Sequence, residues 1–321
     1  MNDLHGRKID YLRLSVTEAC NFRCAYCAPG GRASPISTPI TIDEIEQLVR
    51  AAAALGIDKV RLTGGEPLMR REIVDIVHRI SAVGVRDLSM TTNGFRLAEL
   101  AEPLAHAGLD RVNVSLDTLR PDRFARITGR AAFERVWSGI LAADAAGLGP
   151  IKLNAVALRG VNDDEVGEFA RLTVEHPWHV RFIELMPVGS GNASQEFFNR
   201  HFIPANELAA KLVDLQPVHG PRGNGPVKAF RLPGAQGTIG FITPASDHFC
   251  SSCNRIRVTA RGVVRPCLFG EEEIAIPDTG SRTTKRSMQE LLAQAIQAKP
   301  EHHPWGSGFT IMKQGMSQIG G

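Results

Sequence analysis

Residues 11–27 read YLRLSVTEACNFRCAYC, and the join between the two halves of this stretch decides how the rest of the chain is read. An apolar, strand-like run, YLRLSV, leads directly into Cys20, Cys24 and Cys27. In barrels and open α/β sheets the loops at the carboxyl ends of the strands converge on one rim, where chemistry collects. Three thiolates are one short of a closed tetrahedral metal site. The C-x3-C-x2-C spacing is tighter than that of a zinc finger, and no pair of histidines follows at finger distance. Thiolates favour zinc, copper(I) or iron-sulfur clusters. A 4Fe-4S cubane with three cysteine ligands keeps one iron open to a small molecule and supports radical chemistry.

Working outward, residues 11 to about 187 alternate short apolar runs with amphipathic ones, the pattern of βα units on a parallel sheet. The strands expected are YLRLSV, KVRLT, DLSMTT, RVNVSL, IKLNAVAL and VRFIELM. Among the helices between them, TIDEIEQLVRAAAALG starts with a capping box, Thr41 and Glu44, and ends at Gly56. REIVDIVHRISAVG and FERVWSGILAADAAG end in glycine in the same way. The expected fold is α/β, an incomplete (β/α)6 barrel over residues 1–187, with a flat doubly wound sheet as the alternative. After Pro187 the composition changes, and residues 188–321 read as a smaller α+β region. There PVGSGNAS is irregular, ANELAAKLVDL is a helix, KAFRL and GTIGFIT are strands, and RIRVTA with GVVRPCLF is a hairpin.

Polar residues crowd the expected strand ends: TGGEP after the second, TTNG after the third, Ser115 and Asp117 after the fourth, Glu184 and Met186 after the sixth. A Gly-Gly pair there lets backbone approach a ligand closely. Strands covered on both faces should be nearly continuous apolar runs, yet Arg13, Arg61, Lys152 and Arg181 each interrupt one. Period two turns all four to the face opposite their apolar neighbours. Several buried cations on one face repel each other unless an anion joins them, so the expected ligand is a polyanion such as a triphosphate. Arg255 and Arg257, two residues apart, share a face beside a second thiol triad, Cys250, Cys253 and Cys267. Taken alone, that triad also fits a zinc half-site with His248 as the fourth ligand.

The remaining bounds are coarse. The chain has 321 residues, 43% of them hydrophobic, a formal net charge of +3 and six cysteines, all within the two triads. A chain of this size forms a core without disulfide staples, and no basic block has the footprint of a nucleic-acid binder. No stretch has the apolar length of a membrane span, so a soluble cytoplasmic enzyme is expected.

CNFRCAYC and TGGEP resemble the cluster and glycine motifs of radical S-adenosylmethionine enzymes. Within them the chain is similar, nearly end to end, to the GTP 3′,8-cyclase family, through LRLSVTEACNFRCAYC, VRLTGGEPLMRR, TTNG, NVSLD, RFIELMPVG, FCSSCNRIRVTARGVVRPCLF and the terminal IGG. The resemblance implies a lyase of molybdenum cofactor biosynthesis. Cys20, Cys24 and Cys27 would hold one 4Fe-4S cluster, and Cys250, Cys253 and Cys267 a second. Tyr26, Gly65, Ser115 and Met186 would contact S-adenosyl-L-methionine. Arg13, Arg61, Thr91, Lys152, Arg255 and Arg257 match GTP-contacting positions, and Arg181 joins them on electrostatic grounds. A 5′-deoxyadenosyl radical would take hydrogen from ribose C3′, and the carbon radical would add to guanine C8, giving (8S)-3′,8-cyclo-7,8-dihydroguanosine 5′-triphosphate. Arg13 and the tail Gly320-Gly321 would assist catalysis. The same resemblance implies cyclic pyranopterin monophosphate synthase as the downstream partner, allows a homodimer and leaves the electron donor open. Ala28-Pro29 departs from the family's usual Met-Pro, and residues 270–310 match weakly. A peptide-modifying radical enzyme and a non-enzymatic zinc protein are the alternatives.

Overall fold

The computed structural model describes residues 1–27, 38–188, 192–218, 226–276, 287–303, 315, 316 and 318. Six strands, β1 (Tyr11–Ser15), β2 (Lys59–Thr63), β3 (Asp87–Thr92), β4 (Arg111–Ser115), β5 (Lys152–Ala157) and β6 (His179–Glu184), pair in parallel and in sequence order. The connecting helices are α1 (Ile42–Ala54), α2 (Ile73–Ala82), α3 (Leu97–His106), α4 (Pro121–Thr128), α5 (Phe133–Ala145) and α6 (Val166–Glu175). Thr41 and Glu44 form the expected capping box on α1, and Gly56 follows its end with φ +84°. Among the described residues β1 and β6 do not pair, so the barrel is incomplete.

The C-terminal part extends this sheet at both edges. After α7 (Asn192–His201) and α8 (Ala205–Ala209) come β7 (Gln216–Pro217), β8 (Val227–Arg231), β9 (Thr238–Ile242), β10 (Arg255–Val258), β11 (Val263–Arg265), β12 (Ile274–Ala275) and α9 (Met288–Gln297). β9 pairs in parallel with β6, and β10 in parallel with β1; the sheet order is β12-β11-β10-β1-β2-β3-β4-β5-β6-β9-β8-β7. Strand alternation divides the two faces. Leu12, Leu14, Val60, Leu62, Val112, Val114, Leu153, Val180, Ile256 and Val258 are buried in the core. Arg13, Arg61, Arg111, Lys152, Arg181, Arg255 and Arg257 face a cavity on the other side.

Three elements differ from the sequence expectation. The helix read over 205–215 stops at Ala209: Val213 is exposed and Asp214 turns with φ +61°, while Leu212 and Leu215 pack on the core from non-helical backbone. α7 occupies a stretch read as irregular, held by Phe198 against Leu158 and Leu185 in a small satellite cluster. α9 carries its own capping box, Ser287 with Glu290, and buries Leu291, Leu292, Ala295 and Ile296.

The register of β10 on β1 is fixed by a buried polar knot. Asp10 accepts from Lys59 Nζ at 2.8 Å and from Asn254 Nδ2 at 2.5 Å, tying the starts of β1, β2 and β10. Asp10→Ala leaves the buried Lys59 ammonium without its partner, so a loss of about 3–5 kcal/mol is expected in denaturant unfolding; a loss below about 1 kcal/mol would contradict this role.

Candidate active site

The inner face of the sheet encloses a cavity of about 380 Å³, lined by all six cysteines. Topology sets the triads apart. Cys20, Cys24 and Cys27 follow the carboxyl end of β1, whereas Cys250 and Cys253 precede β10, which runs parallel to β1, and Cys267 follows the antiparallel β11. The two triads therefore lie at opposite rims of the sheet.

The loop carrying the first triad is held from three sides. Arg23 N donates to Thr128 O at 2.8 Å and Ala25 N to Ile127 O at 3.0 Å, at the end of α4. Phe22 packs edge-on against Phe95 and Phe124. Gly65 N donates to Thr17 O at 2.7 Å, and a Cβ on Gly65 would stand 2.4 Å from both Ala19 O and Glu18 O. The close approach of Gly65 is thus to the chain's own backbone, where the sequence reading placed a ligand. Tyr26 donates to Asp117 Oδ2 at 2.8 Å, and Val156 N donates to Asp117 Oδ1 at 2.9 Å. Burial raises the Asp117 carboxyl to about 6.

The second triad is built on a 3-10 turn, Cys250–Ser252, with Cys253 N donating to Cys250 O at 3.1 Å. Burial by itself would raise the Cys253 thiol, but Arg255 and then Lys299 pull it down to about 6. Burial raises the Cys250 thiol. His248 Nδ1 lies 3.1 Å from Pro244 O and 2.7 Å from His303 Nε2. Among the described residues no three His, Cys, Asp or Glu side chains are grouped to hold a single metal ion. A cubane spreads its thiolates over separate irons. Six free thiols facing one cavity, three at each rim, fit two such clusters.

Between the rims runs a girdle of cations. Strand register sets Arg13 between Arg61 and Arg257. Burial, then Arg257, lowers Arg13 well below its ordinary value. Burial with Arg181 pulls Lys152 down to about 6, and burial with Arg61 brings Arg181 to about 9. Burial with Arg255 brings Arg257 to about 10. Arg13 Nε and Thr91 Oγ1 are buried without hydrogen-bond partners, as are both amide atoms of Asn113. Of these, Arg13 and Thr91 line the cavity, and such unsatisfied groups amid like charges describe a place for an anionic, hydrogen-bonding ligand.

The expected residues Tyr26, Gly65, Ser115 and Met186 line the same cavity, as do Arg13, Arg61, Thr91, Lys152, Arg181, Arg255 and Arg257. Gly320 and Gly321 lie outside the described residues, but Met316 lines the cavity and its N donates to Cys27 O at 3.3 Å. Glu184, read as a strand-end polar group, serves structure: it is buried and accepts from Ala205 N at 2.9 Å and Ser246 N at 2.9 Å. Lys59, Arg111 and Lys299 also line the cavity and were not singled out. Lys59 and Arg111 broke strands in the same way as Arg61, but they start β2 and β4, where a charge is unremarkable.

Comparison with known proteins agrees with this geometry. Residues 14–173 match the Radical SAM superfamily and residues 178–305 match Molybdenum Cofactor Synthesis C. A GTP 3′,8-cyclase of Pelotomaculum thermopropionicum is 48% identical over 331 residues, covering 100% of both chains, and one of Moorella thermoacetica is 46% identical over 330 residues with the same coverage. The fold is similar to Streptococcus suis SuiB bound to S-adenosylmethionine (TM-score 0.62, 16% identity, 90% of this chain and 66% of that one). It is also similar to anSMEcpe with bound AdoMet (TM-score 0.54, 14% identity, 91% of this chain and 81% of that one).

Glu66, in TGGEP, is buried and accepts from Thr92 Oγ1 at 2.6 Å, Asn93 N at 2.6 Å and Leu68 N at 3.0 Å. Burial outweighs these bonds and raises its carboxyl from 4.5 to about 7. The folded chain then holds a proton that the unfolded chain has released, so this contribution is fully present below 4.5 and is lost as pH rises toward 7. The melting temperature of the cluster-free chain should fall across that window, and Glu66→Gln should flatten the fall; an equal slope in the variant would contradict the assignment.

Proposed function

This chain belongs to the GTP 3′,8-cyclase family of the Radical SAM superfamily, and from that premise we propose that its cavity holds the substrate between two clusters, with the cation girdle on the triphosphate. The family carries out the first step of molybdenum cofactor biosynthesis with S-adenosyl-L-methionine and 4Fe-4S clusters. Cys20, Cys24 and Cys27 hold the first cluster; Cys250, Cys253 and Cys267 hold the second. When bound, these clusters and S-adenosylmethionine supply the one-electron chemistry that removes hydrogen from ribose C3′ and lets that carbon bond to guanine C8.

The chain's own residues position and shield. One observation carries the assignment: a girdle of buried cations lies between two thiol triads in a single cavity. A triphosphate neutralises that girdle, so the guanine end extends toward the second triad and the ribose toward the first. Arg13, at the centre of the register, lies where it meets both the substrate and the reacting face. Tyr26, Gly65, Ser115 and Met186, around the first triad, contact S-adenosylmethionine. The wall of strands and helices keeps water from the reacting carbons. Domain organisation follows the same division, 1–187 for the radical barrel and 188–321 for the second cluster and the tail. The downstream partner is cyclic pyranopterin monophosphate synthase. Among the described residues no helix is long and apolar enough to cross a membrane.

Arg257→Ala should weaken GTP binding about tenfold to a hundredfold, the loss of about 1.5–3 kcal/mol expected for a charged hydrogen-bonding partner. Anaerobic calorimetry checks it; unchanged affinity with both clusters loaded would count against the triphosphate girdle. The approach of Met316 to Cys27 supports a tail that enters the cavity. Removing Gly320 and Gly321 should therefore abolish cyclisation while iron content and GTP affinity stay at the parent level, and a fully active truncation would end that role.

A further inference from the structure

Lys299 lies two residues beyond α9 and is 3% exposed. Its Nζ donates to Arg255 O at 2.8 Å and to Pro266 O at 2.9 Å, two residues after Cys253 and one before Cys267. Burial lowers the Lys299 ammonium from its ordinary value, and Cys253 and Cys267 work against that lowering. A buried ammonium is costly without a counter-charge, so here the thiolates serve as the counter-charge.

Its surroundings isolate that charge. Arg7 reaches the same segment, donating from Nη1 to Cys250 O at 2.8 Å and from Nη2 to Pro300 O at 2.7 Å, but its Nε meets Asp3 Oδ2 at 2.6 Å, so Arg7 is neutralised locally. Arg255 and Arg257 also influence Cys253, yet both line the girdle that a polyanion would neutralise. Lys299 lines the same cavity, but its Nζ is tied to the two ligand loops through Arg255 O and Pro266 O.

We infer that Lys299 is a positioning residue of the second triad whose fixed positive charge makes the cluster held there easier to reduce. This rests on the assignment of Cys250, Cys253 and Cys267 to a second 4Fe-4S cluster. Reduction adds one electron and no proton, so it makes a thiolate-bound cluster more negative. A cation fixed beside its sulfur atoms in a low-dielectric wall stabilises that more negative state.

The test is an EPR-monitored redox titration of the full chain, reconstituted with iron and sulfide, for the parent, Lys299→Met and Lys299→Arg. The parent should hold about eight irons per chain, two 4Fe-4S clusters; about four, with the second triad empty, would remove the second cluster and this inference with it. In Lys299→Met one of two midpoints should become more negative by about 59 mV, a tenfold shift of a one-electron equilibrium, while the other stays. Lys299→Arg should keep both parental midpoints. If Lys299→Met instead loses the second cluster, retention of iron by Lys299→Arg supports the need for charge, and equal loss in both variants contradicts it. Full loading of Lys299→Met with both midpoints unchanged would overturn the inference.

Discussion

The site is organised around a repulsion. Arg13, Arg61 and Arg257 stand side by side on three adjacent parallel strands, and neighbouring strands lie only about 4.8 Å apart. At an effective dielectric constant near 20, two unit charges about 5 Å apart repel by roughly 3 kcal/mol. Lys152 and Arg181 add to the same field from β5 and β6. The sheet tolerates this because the apolar residues between the cations build a continuous core on the opposite face, so the fold is secured without the girdle's help. In the proposed reading a nucleoside triphosphate relieves this repulsion, because its chain of phosphates is long enough to touch several strands.

The open barrel explains why two clusters fit one cavity. Because β10 adds to β1 in parallel, its leading turn arrives at the amino rim, while β1 delivers the first triad to the carboxyl rim. The length of a strand, about 3.3 Å per residue, thereby becomes the separation between the two centres. The space between the rims therefore lies between the two centres. This polarity comes from strand direction alone, and the Asp10, Lys59 and Asn254 knot keeps it in register.

Much of this was legible in the sequence because it broke a local rule. Arg13, Arg61, Lys152 and Arg181 stood out as charges within apolar strands, and period two gave their common face. The six strands follow from the same alternation, with ends shifted by a residue or two. Lys299 and Arg7 were not legible, since each is held by backbone carbonyls far away in sequence: Pro266 O is 33 residues from Lys299, and Pro300 O is 293 residues from Arg7. Gly65 was noticed as a ligand-facing glycine, but its packing on the backbone of Glu18 and Ala19 was not, because sequence does not show which segments approach one another. α7 depends on a satellite cluster of phenylalanines with no helical period to announce it, and α9 carried a capping box in a stretch whose family resemblance is weak.

The account stands most directly on what the cavity does to GTP. Reconstituted protein incubated without oxygen with dithionite, S-adenosylmethionine and GTP, then analysed by mass spectrometry, should yield 5′-deoxyadenosine and a cyclic isomer of GTP in step with one another. 5′-Deoxyadenosine released while GTP is recovered unchanged, from protein with both clusters loaded, would contradict it.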